Sequence, residues 1–300
     1  MIQARRIGHA TFETPDLDAA VDYYTQVNGL VLAEREPGRA FLATKLGQLV
    51  VRIDEGSNAQ CTGLSFEVAP DSDFGAMARQ LQADGIAHEL SNDSIPGLGK
   101  VLKFKDPKGT TIELFSEWGY LGKHHQTIGV GPYKLGHVAF IVDDAKKVTD
   151  FYVKVLGFRV SDWVEDFFSF LRCGPDHHTV NFLTGKKTQM HHIAFEVKDF
   201  AHIQNACELF GQKSIPIIWG PLRHSGPGHN ISTYHHNPEG HVVEFYTELD
   251  QMKDEALGYF EPRPWHHDTP QRPKVWQKDT RRGGWGPPPT EAYFRSSRPQ

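Results

Sequence analysis

The chain carries one pattern twice, and a duplicated pattern restricts the fold to an architecture of two similar units. Residues 7 to 12, Ile-Gly-His-Ala-Thr-Phe, read as a strand, and Thr14-Pro15-Asp16 opens a helix whose apolar positions Ala20, Val21, Tyr24 and Val27 run up to Gly29. The pattern returns at Leu135-Gly-His-Val-Ala-Phe-Ile-Val, followed by Asp143-Asp144 and a helix with Val148, Phe151, Tyr152 and Val155 before Gly157. Spacing is kept along with composition: His9 to Tyr23 and His137 to Phe151 are both 14 residues, and Phe41 to Gly56 and Phe170 to Gly185 are both 15. Gly63-Leu-Ser-Phe-Glu-Val then matches His192-Ile-Ala-Phe-Glu-Val, and each is followed by a helical stretch, Phe74 to Asp84 and Phe200 to Phe210. The copies close with Phe104-Lys-Asp-Pro-Lys-Gly-Thr-Thr-Ile-Glu-Leu-Phe and His235-His-Asn-Pro-Glu-Gly-His-Val-Val-Glu-Phe-Tyr. Residues 1–120 and 134–250 are therefore expected to form two modules, joined by a linker near Tyr120 to Pro132. The order of elements predicts an α+β fold in which each module contributes a curved sheet covered by helices.

Composition narrows the function classes. With 39% hydrophobic and 23% charged residues in 300, the chain is an ordinary globular protein with enough apolar material for two modest cores. A net charge of -5 and the absence of a long basic block give no reason to expect nucleic acid or a membrane surface as partner. No run reaches the roughly 18 apolar residues of a membrane span, and MIQARRIGHATFE lacks the apolar core of a signal peptide, so a cytoplasmic setting is expected. Cys61, Cys173 and Cys207 are odd in number and widely spaced, as suits reduced packing thiols. After Gln251 the prolines (Pro262, Pro264, Pro270, Pro273, Pro287, Pro288, Pro289 and Pro299) rule out regular structure for most of the tail. Trp265, Trp276, Trp285 and Tyr293 nevertheless imply that residues 251–300 form an extended arm packed on the body or on a neighbouring subunit, with plain disorder as the alternative.

The duplication also serves as an internal control, since residues shared by both copies are architectural and residues confined to one are candidates for chemistry. Glu67 and Glu196 match, so Glu196 is expected to be structural. At three other positions the copies part. His9 and Glu113 correspond to His137 and Glu244, but His192 corresponds to Gly63. Only the second copy has three potential ligands, one on each of three strands, 55 and 52 residues apart. Period-2 alternation in Val242-Val-Glu-Phe-Tyr246 sets Glu244 in an apolar strand, where a carboxylate is costly unless paired, hydrogen-bonded or bound to a metal. Two imidazoles and a carboxylate with open positions form the facial set of non-haem Fe(II) sites. Zinc hydrolases use the same ligand types, so the residues alone leave the metal open.

Leu-Gly-His137, Asp-His-His178-Thr, Met-His-His192, Leu-Arg-His224 and the run from Tyr234 to Glu244 together resemble motifs of the vicinal oxygen chelate superfamily. Within it, the chain resembles the type I extradiol ring-cleaving dioxygenases over about residues 5 to 250. The resemblance implies tandem βαβββ modules and a metal centre in which His137, His192 and Glu244 hold Fe(II), or in some members Mn(II). It implies that His178, His224 and Tyr234 surround a catecholic substrate that reacts with O2, with His178 as acid and base, and that the subunits form a homo-oligomer. His178 and Tyr234 pass the internal control, because they align with Leu49 and Lys103 in the first copy. The doublets His177-His178, His191-His192 and His235-His236 carry a one-residue ambiguity, which the repeat and the family pattern resolve toward His178 and His192. His229, His235 and His236 are expected to line the entrance or to be exposed. In relatives that take carboxylated catechols an Arg precedes the His224 position; Trp219 stands there, which points to a neutral or aromatic substituent. Three alternatives remain: a glyoxalase-like isomerase, a keto-acid dioxygenase, and a metal-free binding protein on the same scaffold.

Overall fold

The computed structural model describes residues 2–121, 128–261, 271–277 and 283–297. Its body is built from four βαβββ units, so each of the two modules is itself double. The first module contains β1 (Arg6–Thr14), α1 (Leu17–Tyr23), β2 (Val31–Glu36), β3 (Arg39–Ala43) and β4 (Leu49–Glu55), then β5 (Gln60–Glu67), α2 (Phe74–Ala83), β6 (His88–Ile95), β7 (Leu98–Lys105) and β8 (Thr111–Phe115). The second contains β9 (Lys134–Val142), α3 (Ala145–Leu156), β10 (Arg159–Val164), β11 (Phe168–Arg172) and β12 (Val180–Thr184), then β13 (Gln189–Glu196), α4 (Phe200–Gln212), β14 (Ile217–His224), β15 (Ile231–His236) and β16 (Val242–Thr247). The sheet orders are β2-β3-β4-β1-β5-β8-β7-β6 and β10-β11-β12-β9-β13-β16-β15-β14, the same palindromic arrangement in both modules. Its centre is the antiparallel pair of leading strands, β1 with β5 and β9 with β13.

Local chemistry repeats with the fold. Asp16, Asp73, Asp144 and Asp199 cap the four helices, each carboxylate accepting from the backbone N–H three residues on. A cap of this kind is worth about 1 kcal/mol. Glu67 pairs with Arg6 and Glu196 with Lys134, which gives the matched glutamates the structural part expected of them. Gly8 and Gly136 are also required for packing. A Cβ at Gly136 would lie 1.8 Å from the Tyr246 hydroxyl, and one at Gly8 would lie 2.5 Å from the Phe115 ring.

One face of each sheet, together with α1 to α4, buries into a continuous apolar core. Val138, Phe140 and Val142 of β9, Ile193 and Phe195 of β13, and Val243 and Phe245 of β16 all point into it. Because successive strand residues alternate, His137, His192 and Glu244 are left on the opposite face of three adjacent strands. The modules lock together through matched turns: Lys108 lies 4.2 Å over the ring of Phe140, and His241 sits 5.5 Å from Phe12.

The described parts of the arm pack on the second module and are more regular than the prolines suggest. β17 (Lys274–Trp276) joins β10 at one edge of the second sheet, β18 (Gly283–Trp285) joins β14 at the other, and α5 (Glu291–Ser297) follows. Backbone hydrogen bonds to a sheet edge need no particular side chains, so proline between these short pieces does not prevent them. Trp265, Pro262, Pro264, Pro270 and Pro299 lie outside the described residues.

Candidate metal centre

Ala194 on β13 pairs with His137 on one side and with Glu244 on the other, so those two side chains flank a small residue at the same level. His192 lies two residues before Ala194 on the same face. The three ligand atoms meet. His137 Nε2 is 3.1 Å from His192 Nε2 and 3.2 Å from Glu244 Oε2, and His192 Nε2 is 3.3 Å from the same oxygen. All three residues are buried. Ions held by nitrogen and carboxylate at about 2.1 Å set neighbouring ligands roughly 3.0 to 3.4 Å apart, so the spacing fits one cation.

Electrostatics points the same way. Burial works to raise the Glu244 carboxyl, and His137 and His192 outweigh it, holding the group well below the usual carboxylate range. Burial, against the attraction of Glu244, keeps His192 well below the ordinary imidazole range, which leaves a neutral ring able to ligate. Among the described residues no Lys or Arg pairs with Glu244. The first module differs at this point. Glu113 Oε2 is 2.9 Å from His9 Nε2, while its Oε1 is 3.4 Å from Lys103 Nζ and 3.7 Å from Arg52 Nη1. Lys103 holds the same register against Glu113 as Tyr234 holds against Glu244, and Arg52 pairs with Thr11 as Asn181 pairs with Ala139. Two cations neutralise the first carboxylate; in the second module they are replaced by neutral side chains, which leaves the Glu244 charge able to hold an ion.

The remaining expected residues surround this point. The His178 ring is 4.3 Å from that of His137, and burial first, then His137 and His177, hold its imidazole well below the ordinary range. His224 Nε2 and the Tyr234 hydroxyl are 2.9 Å apart, and burial lowers His224 to about 4. Burial and then Glu244 keep the Tyr234 phenol protonated well above its ordinary pKa. Trp219 stacks on Tyr234 at 5.1 Å, and Tyr293 of α5 lies 4.7 Å from Trp219, which makes one wall of the site aromatic.

Other expectations need correction. His235 is fully buried and bonds the hydroxyl of Tyr23 in the first module at 2.6 Å, and His229 is buried against Asp250. Neither lines an exposed entrance. His236 is half-buried and bonded to Ser296 of the arm at 2.6 Å. Sequence reading missed Asn230 and Ser232, which donate to Glu244 Oε1 at 2.9 and 2.6 Å and orient it. It also missed Asp162, which accepts from His177 Nε2 at 3.0 Å. Ser232 could have been found, since period 2 places it on the face of Tyr234.

Comparison with known proteins shows the family and the fold. The 2,2',3-trihydroxybiphenyl dioxygenase of Sphingomonas paucimobilis is 27% identical over 299 residues, covering 92% of this chain and 97% of that protein. The structure of the 2,3-dioxygenase LapB from Pseudomonas sp. KL28 superposes with a TM-score of 0.79 at 22% identity, over 93% of this chain and 99% of the other. The Mn(II)-bound glyoxalase from Novosphingobium aromaticivorans gives a TM-score of 0.84 at 24% identity, over 97% and 94%. A protein-family model for the Glyoxalase/Bleomycin resistance protein/Dioxygenase superfamily matches residues 6–114 and 134–245, one stretch in each module, and the chain therefore belongs to that superfamily.

Proposed function

We propose that the chain is an extradiol dioxygenase that opens the ring of a catechol-type diol beside its two hydroxyls, incorporates both atoms of O2 and yields a semialdehyde-type product. The observation that carries this reading is the convergence of His137, His192 and Glu244 on one point in the module where, among the described residues, the carboxylate has no Lys or Arg partner. Residues 134–250 act as the catalytic module, residues 1–120 as a scaffold copy without a metal, and residues 251–300 as a C-terminal arm whose Tyr293 closes the aromatic wall. His137, His192 and Glu244 would hold a divalent iron, or manganese, which would supply Lewis acidity toward the diol and the redox chemistry that O2 requires.

The protein supplies orientation and proton control. His178, neutral and beside the centre, accepts a proton from a diol hydroxyl and returns it later in the reaction, a role worth about 10² to 10⁴-fold. The hydrogen-bonded pair of His224 and Tyr234 fixes the plane of the ring through its oxygens. Trp219 and Tyr293 offer apolar surface to the ring substituent, which supports a neutral or aryl-substituted catechol over a carboxylated one. A homo-oligomer in the cytoplasm completes the proposal. Exposed Leu46, Trp118 and Tyr120 in the first module support association, and three unpaired cysteines support a reducing compartment. Among the described residues no helix is long and apolar enough to cross a membrane.

The structural likeness to a glyoxalase keeps an isomerase as the second reading. Gly63 and the pairing of Glu113 with Lys103 and Arg52 weigh against any site that draws ligands from both modules. Ferrous-reconstituted protein mixed with catechol or 2,3-dihydroxybiphenyl in air should consume O2 and turn yellow. Isomerisation of a hemithioacetal with no O2 uptake from any diol would replace this reading with the second.

A further inference from the structure

Two imidazoles whose Nδ1 atoms lie 3.0 Å apart can share only one proton between those atoms, and in His177 and His178 that arrangement is buried. Which ring donates is decided one step further out. His177 Nε2 is 3.0 Å from Asp162 Oδ2. The same oxygen accepts from the indole Nε1 of Trp276 at 2.6 Å, and Oδ1 accepts from the backbone N–H of Lys274 at 2.9 Å. Indole and amide groups are donors only, so Asp162 is committed as an acceptor and His177 must carry its proton on Nε2. A neutral His177 then has a bare Nδ1, and His178 must donate to it from its own Nδ1.

We propose that Asp162 and His177 are positioning residues that fix His178 as the Nδ1–H tautomer, leaving the Nε2 lone pair as the proton acceptor of the site. Among the described residues Nε2 of His178 makes no hydrogen bond. His177 is held by its backbone N–H to Asp250 O at 2.8 Å and by the ring of Phe260 at 4.6 Å, so the pair cannot swing apart without moving the arm. The consequence for catalysis rests on the proposed function: in the diol O–H···Nε2 transfer the O–H bond breaks, an Nε2–H bond forms, and the resulting imidazolium already has its Nδ1–H engaged by His177. The opposite tautomer would present a donor where a base is needed, and free imidazole favours no such arrangement by itself. The C-terminal arm enters the same device through Trp276 and Lys274, which fix the orientation of Asp162.

The test reads the tautomer directly in metal-free protein labelled with 15N-histidine, by long-range 1H–15N correlation, with the His178 signals identified by their loss in His178→Phe. The unsubstituted protein should show the Nδ1–H pattern; an Nε2–H pattern there overturns the proposal whether or not any other variant folds. Asp162→Asn, whose amide can donate as well as accept, should shift His178 toward Nε2–H. After iron loading it should lower kcat for catechol cleavage about 10 to 100-fold, with iron content and KM little changed. Trp276→Phe removes a donor to the same carboxylate but leaves the contact with His177, and should keep the Nδ1–H pattern. An unchanged tautomer in Asp162→Asn refutes the relay. Absence of diol cleavage in a protein showing Nδ1–H would count against the proposed function while leaving the tautomer assignment in place.

Discussion

Glu113 and Glu244 occupy matched positions in the two modules, and substituting each by Gln should have opposite consequences. In the first module burial alone would raise the Glu113 carboxyl, but the hydrogen bond from His9 and the charges of His9, Lys103 and Arg52 lower it from the ordinary 4.5 to about 2. At about 1.4 kcal/mol for each pH unit of displacement, the set contributes about 3 kcal/mol. Because the folded value is depressed, the contribution is fully present above the unfolded pKa, near 4.5, and is lost as the pH falls through about 2. Glu113→Gln is therefore expected to lose about 3 kcal/mol of stability at pH 7, with the deficit shrinking steadily between pH 4.5 and 2. Urea denaturation followed by tryptophan fluorescence at both ends of that range measures it. Iron content and kcat should stay at the parent level, since Glu113 touches nothing in the proposed centre. Glu244→Gln should show the reverse pattern, losing the metal because an amide cannot supply the missing negative charge. Iron loss in Glu113→Gln, or a stability deficit equal at pH 3 and pH 7, would refute the assignment of an ion-pair set to one module and a metal to the other.

His192→Ala and His137→Ala should abolish stoichiometric metal binding, whereas His178→Phe should retain metal and catechol affinity and lower kcat by about 10² to 10⁴-fold; equal metal loss in all three would end the division of roles. Trp219→Arg should raise kcat/KM for carboxylated relative to alkyl catechols, measured by product absorbance, and no change in that ratio would remove Trp219 from the substituent wall. Gly136→Ala should cost more than 2 kcal/mol, roughly the cost of overpacking a core, because its Cβ meets the Tyr246 hydroxyl at 1.8 Å. Gly240→Ala, with φ +83 and nothing within 4 Å, should cost only about 1 kcal/mol of backbone strain; the opposite ranking in thermal melts would contradict the packing account.

Much of this was legible in the sequence because the repeat and strand alternation act together. Period 2 puts Glu244 and His192 on the face away from Val243 and Ile193, and the mismatch of His192 with Gly63 picks out the module. The chain length between ligands says nothing about which side chains reach Glu244 Oε1, however, so Asn230 and Ser232 went unread. The same holds for Asp162, a single acidic residue in an unremarkable strand whose partners, His177 and Trp276, lie 15 and 114 residues away. The sequence leads one to expect His235 at the entrance or exposed; instead it is buried against the first module, with its ring bonded to the Tyr23 hydroxyl, a partner 212 residues away. The α5 helix was hidden by Pro287, Pro288 and Pro289, which end before it begins, and Thr290 supplies a side-chain oxygen to its first turn.

Crystals of the ferrous-loaded protein, measured at the iron absorption edge, locate the ion. A single anomalous peak per chain is expected, about 2.1 Å from His137 Nε2, His192 Nε2 and Glu244 Oε2, and none beside His9 and Glu113. A peak in the first module, or one that leaves any of the three groups unligated, would contradict this assignment.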